Sequence, residues 1–236
     1  KGRAPARVLA EQWIASPKSD DLIYWEKPEY NPVMTEELHG DLKIYEWRDP
    51  FIFQHEGDDY MVIGGNIELS SGNFRGVVAL YHAQNVELTE WNFKGILFVH
   101  PNPDNPNIEV PLFFPMEDKW VLVITPPGPV EYYVGEFDLE STRFIPEKSG
   151  IIDYSGNFFA PNVLKDARGR RVMWGWIRGF KPDRGWNGCL TVPRVLSLDD
   201  SRRLTIDPLP ELANIRMDEP HVEQISLRQK EKTIGN

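Results

Sequence analysis

Hydrophobic positions in this chain fall in short runs, alternating with polar residues or continuing unbroken, and glycine, proline and aspartate punctuate them. Runs of that length with turn residues between them predict strands joined by tight turns, hence an all-β chain. Three segments resemble one another: DPFIFQHEGDDYMVIGG from Asp49, VPLFFPMEDKWVLVITP from Val110 and APNVLKDARGRRVMWGW from Ala160. Each reads as a proline, an apolar strand, a polar turn and a second strand. Between them recur AEQWIASPKSDDLIYWEK, GVVALYHAQNVELTEWNFKG and EYYVGEFDLESTRFIPE, each a strand, an acidic turn and an aromatic-bearing outer strand. GCLTVPRVLSLDDSRRLTIDP is a looser fourth copy. The order is a half unit followed by three whole units of four strands, which predicts about three and a half blades of a β-propeller. A β-sandwich is the alternative on pattern alone. Trp25 and Trp91, at matching places in outer strands, are expected to pack between blades. From PLPELANIR onward the chain is charged and free of repeats, so residues 1–207 form the propeller unit and 208–236 a short helix or linker.

Composition narrows the function classes. The 236 residues are 41% hydrophobic and carry a formal charge of −10, so the chain can bury a core but has no dominant basic face for nucleic acid or an anionic membrane. A neutral or small substrate fits that balance better. Cys189, the single cysteine, makes no internal disulfide and leaves the compartment, extracellular or cytoplasmic, open. The five histidines are scattered without metal-ligand spacing, and no phosphate loop or nucleophile elbow occurs, so no metal or cofactor is expected. DARGRR reads as a solvated hairpin turn rather than a basic site.

Candidate chemistry centres on two carboxylates. Asp49 stands one residue before Pro50 and Glu109 two before Pro111, each at the start of a blade's first strand, which in a propeller lines the central channel. Paired carboxylates in one pocket suit glycosidic cleavage, one donating a proton to the leaving oxygen. Glu109 is the better donor, because Ile108 and Val110 on either side would take it out of water and favour its protonated form. Against these roles, Asp49 could be an Asp-Pro turn opener paired with Arg48, and Glu109 a carboxylate at a strand end. Trp47, Trp174, Trp176 and Trp186 could stack on a sugar or fill the blade core.

At this point the motifs become specific. EWRDPFIF resembles the Arg-Asp-Pro motif, and NIEVPLFFPMEDKWVLV the Glu-Cys-Pro motif, of glycoside hydrolase family 32, the invertases, levanases, inulinases and related fructosyltransferases. YYVGEFD, DYSGNFFAPNVLKDARGRRVMWGWI and GWNGCLTVPRVLSLDDSRRLTIDPLPEL continue the match in the family's order over nearly the whole chain. The resemblance implies a five-bladed propeller followed by a β-sandwich, and retaining cleavage of β-fructofuranosides such as sucrose, levan or inulin. Carried over, Glu109 is acid/base, Asp49 stabilises the transition state through fructose hydroxyls, and Arg48 positions hydroxyls and orients Glu109. Trp47, Asn157, Phe159 and Trp176 are the further substrate-binding candidates. The family's Asn-Asp-Pro-Asn-Gly segment, source of the nucleophile, is not in these 236 residues. The first residues resemble the close of a second blade, so one and a half blades would precede them. That expectation makes the isolated chain inactive, completed by an upstream segment or by self-association. Val110 replaces the motif's cysteine, and Asn157 and Phe159 stand where Asp and Tyr are common. A fructosyltransferase, or a non-catalytic carbohydrate-binding propeller, is the alternative.

Overall fold

The computed structural model describes residues 10–215 apart from 71, 182 and 184. The short strands β1 (Ser16–Pro17) and β2 (Trp25–Glu26) pair with each other, and three larger antiparallel sheets follow. The first runs β3 (Ile44–His55), β4 (Asp58–Ser70), β5 (Asn73–Ala83) and β6 (Trp91–Val99). The second runs β7 (Glu109–Met116), β8 (Lys119–Thr125), β9 (Glu131–Asp138) and β10 (Arg143–Ile151). The third orders β11 (Phe158–Lys165), β12 (Arg171–Ile177), β14 (Arg194–Leu198) and β15 (Leu204–Pro208), with β13 (Cys189–Leu190) also pairing with β12. Each sheet is a meander of sequential strands, and the first strands β3, β7 and β11 neighbour one another. The half unit and three whole units read from the repeats are therefore blades of a propeller.

Blades stack face to face, so central strands are buried on both sides and read as unbroken apolar runs. The two-residue period divides each run between two interfaces. Phe113, Leu122 and Ile124 pack with Phe53, Val62, Leu80 and Phe98 of the first large blade. Their alternates Leu112, Phe114, Val121 and Val123 pack with Phe158, Val163, Met173 and Leu196 of the third. A polar clasp also joins the first two blades: buried His100, at the end of β6, places Nε2 3.1 Å from Glu131 Oε2, which accepts the Tyr133 hydroxyl at 2.6 Å.

Two sequence expectations change. Trp91 is buried as expected, but Trp25 is 53% exposed, donating its indole N–H to the Leu22 carbonyl instead of filling a blade interface. The β1–β2 pair is too short to carry its ring under a neighbouring sheet. The DARGRR turn is not simply solvated either. Arg168 and Arg170 both hold Glu211, in the short 3-10 helix Pro210–Ile215, and Arg171 lays its guanidinium 5.0 Å from the centre of the Phe114 ring. The turn thus ties the segment after β15 to the third blade. The remainder of the expected linker, beyond 215, lies outside the described residues.

Candidate active site

All three first strands carry the same irregularity. The pairing of β3 with β4 slips by one residue between Arg48 and Phe51, that of β7 with β8 between Glu109 and Leu112, and that of β11 with β12 between Phe159 and Asn162. In each case the residue directly before the proline is left-handed: Asp49 at φ 63°, Val110 at 47° and Ala160 at 44°. Residues before proline favour extended backbone, and a non-glycine in the left-handed region costs on the order of 1–3 kcal/mol, so strand pairing on both sides must hold these bulges. A bulge re-aims the side chains beside it. Here it brings the equivalent positions Arg48, Glu109 and Phe159, two before each proline, to one end of neighbouring strands.

Glu109 and Asp49 meet through that geometry. Arg48 Nη2 donates to Glu109 Oε1 while its Nη1 donates to Glu46, and Asp49 Oδ2 lies 4.0 Å from Arg48 Nε. Asp49 Oδ2 also accepts the backbone N–H of Val110 at 3.0 Å, a bond across blades that ties the two motifs together. Burial works against the Arg48 charge, but its bonds to Glu46 and Glu109 outweigh that and raise its pKa. The expected drying of Glu109 by its neighbours is not what surrounds it. Ile108 turns its side chain into the core, and the Glu109 side chain stays 28% exposed and paired with Arg48. Successive strand residues face opposite ways, so a flanking apolar residue does not cover the carboxylate.

The approach to Glu109 rests on glycines. A methyl group on Gly64 would stand 2.5 Å from the Ile108 carbonyl oxygen, and one on Gly76 2.9 Å from the Asn107 carbonyl carbon. Gly76 and Gly65 also bond to this crossing segment, through the Asn105 carbonyl and the Ile108 N–H. Gly64→Ala should therefore destabilise the fold by about 1–3 kcal/mol, as overpacking does, and displace Glu109. Denaturant unfolding checks the first effect; a variant of parental stability would contradict this packing.

A cavity of about 210 Å³ opens beside Glu109, lined also by Asn107, Thr125, Pro126, Pro127, Gly128, Phe159 and Arg178. Arg178 stacks its guanidinium 4.2 Å from the centre of the Phe159 ring, and its backbone N–H donates to the Asn157 carbonyl. Trp176, 39% exposed, meets Phe159 edge-on at 6.2 Å. The exposed Asn157 borders this group through Arg178. A larger groove of about 530 Å³ between β6 and β10 holds none of the expected site residues.

Trp47 is a correction. It is 0% exposed, with its ring centre 4.7 Å from that of His39 and 5.8 Å from that of Tyr81, so it offers no face to a sugar. It stands one residue before Arg48 but faces the other side of the strand, into the core. Burial, aided by the nearby Lys43 charge, lowers the His39 pKa from 6.5 to about 4. The unfolded chain therefore takes a proton at His39 first, and stability from this group is full above 6.5 and lost as pH falls towards 4. His39→Phe should flatten that part of a melting-temperature profile against pH, and an unchanged slope would count against the assignment.

Asn107, Thr125 and Arg178 went unread in the sequence. Asn107 had a local signal, its place two residues before Glu109. Arg178 and Thr125 had none, because their approach to Glu109 depends on how β8 and β12 pair.

Residues 4–208 match the model of the glycosyl hydrolases family 32 N-terminal domain. A sucrose-6-phosphate hydrolase of Bacillus subtilis is 30% identical over 198 residues, covering 75% of this chain and 40% of that protein. A fructan 1-exohydrolase of Triticum urartu is 27% identical over 88% of this chain and 39% of its own length. Among solved structures, a mutant beta-fructofuranosidase of Bombyx mori in complex with sucrose superimposes with a TM-score of 0.73 at 27% identity, covering 86% of this chain and 45% of that one. The chain thus spans about two fifths of the length of the curated relatives it matches.

Proposed function

This chain belongs to glycosyl hydrolases family 32 and supplies about three and a half blades of its five-bladed propeller, and from that premise we propose that it carries the proton-donating half of a retaining β-fructofuranosidase site. The observation that carries the reading is the Arg48 bridge, which joins the carboxylates of two neighbouring blades at one end of the first strands. Glu109 donates a proton to the departing oxygen and then takes one from water. Asp49 accepts fructose hydroxyls as the ring gains positive charge, and Arg48 keeps Glu109 aimed. Sucrose and the substrates in the relatives' names, fructans among them, are the compounds to test. The family's nucleophile segment is not among these 236 residues, so the chain as given is expected to bind fructosides without releasing fructose.

The test is release of fructose from sucrose, levan and inulin by the full-length protein, with products separated at high substrate concentration. Free fructose supports hydrolysis, longer fructosides would point to transfer, and binding with neither product would leave a carbohydrate-binding propeller.

A further inference from the structure

We propose that the cavity beside Glu109 seats the departing sugar of the fructoside, and that Asn107, held in place by Asn66, is the side chain that reads it; the inference rests on the glycosidase reading above. Neither Arg48 nor Asp49 lines this cavity, although both are tied to the Glu109 segment. Glu109 therefore stands between the Asp49 side and the cavity. A proton donor to a glycosidic oxygen sits at the bond, with the fructosyl group on one side and the leaving group on the other. With Asp49 serving the fructosyl hydroxyls, the departing ring falls to the cavity. At about 210 Å³ it is smaller than the roughly 300–1,000 Å³ of usual small-molecule sites, which suits one ring rather than a chain.

Its walls fit a sugar. Pro126, Pro127 and Phe159 offer apolar surface to C–H faces, and Arg178 supplies donors at one side. Asn107 supplies the decisive polar group. It is only 8% exposed and its Oδ1 accepts from Asn66 Nδ2 at 3.0 Å, yet its amide nitrogen makes no hydrogen bond among the described residues. Asn66 is wholly buried and its own oxygen has no partner. Whichever way the two amides are turned, one polar atom of Asn107 is left over beside the cavity. Thr125, directly opposite Glu109 in the β7–β8 pairing, adds a buried hydroxyl without a partner to the same wall. Buried polar groups in native proteins are nearly always paired, and a hydroxyl-rich ligand would pair these. Asn66 thereby acts as a positioning residue and Asn107 as the contact.

The test follows hydrolysis of fructosyl fluoride, whose leaving group is not a sugar, by the full-length protein with added glucose or fructose as inhibitor. In the double variant Asn66→Leu/Asn107→Leu, which leaves no amide orphaned, the inhibition constant for glucose should rise roughly five- to tenfold, the worth of one hydrogen bond, while that for fructose holds. Should the double variant not fold, Asn107→Ser, whose shorter side chain withdraws from the cavity, reads the same two constants. Equal constants before and after, or a parallel change in both, would overturn the role of Asn107 alone. A parent protein that releases no fluoride would overturn the glycosidase reading, and this inference with it.

Discussion

Glu109→Gln in the full-length protein should lower kcat/KM on sucrose or a fructan about 10²–10⁴-fold, the usual worth of a positioned general acid and base. Glutamine keeps the shape of the side chain and an oxygen that can accept from Arg48, so the contact that aims position 109 survives in part. The acidic proton is lost, together with the negative charge that faces Arg48. Arg48 retains Glu46, and Val110 retains its bond to Asp49, so the bulge and the melting temperature should hold. A substrate whose leaving group needs no proton should lose far less than sucrose does. If the variant cleaved sucrose within a few-fold of the parent, Glu109 would not be the donor, and the Arg48 bridge would be a structural ion pair.

Trp47→Ala should cost about 3–5 kcal/mol of stability, the range for emptying a large aromatic site in a core. The ring is fully enclosed among Met34, Ile44, Ile63 and Tyr81, with His39 edge-on to it. Sugar stacking by Trp47 would instead show as a raised KM in a protein of parental stability. Denaturant midpoints at an unchanged m-value, beside KM for the same fructoside, separate the two outcomes. Since Arg48 follows directly, some loss of kcat should accompany the loss of stability.

Two tryptophans, Trp47 on β3 and Trp176 on β12, illustrate how far the chain could be read. Trp47 stands near a repeat start and Trp176 in the glycine-rich segment WGWIRGFKPDRGWNG, and from the sequence alone either could stack on a sugar or fill a core. Strand alternation settled the difference: Trp47 faces the inner cluster, whereas Trp176 stays 39% exposed against Phe159. Trp25 shows the same limit at an outer strand, because a matching sequence position implies a matching environment only where a full sheet forms around it. The strand that forms there is two residues long.

The sequence by itself determined the blades, since turn residues and apolar runs are local signals, and it determined the identity of Arg48, Asp49 and Glu109, since two motifs hold them next to their prolines. The tertiary structure supplied the bond by which Arg48 orients Glu109, and it alone decided that Asp49 bonds the Val110 backbone and that Asn107, Thr125 and Arg178 gather around the same carboxylate. Those pairings join residues from separate strands and blades. Their approach is set by a one-residue bulge repeated in three sheets and by glycines that admit the crossing chain, neither of which any single segment's pattern contains.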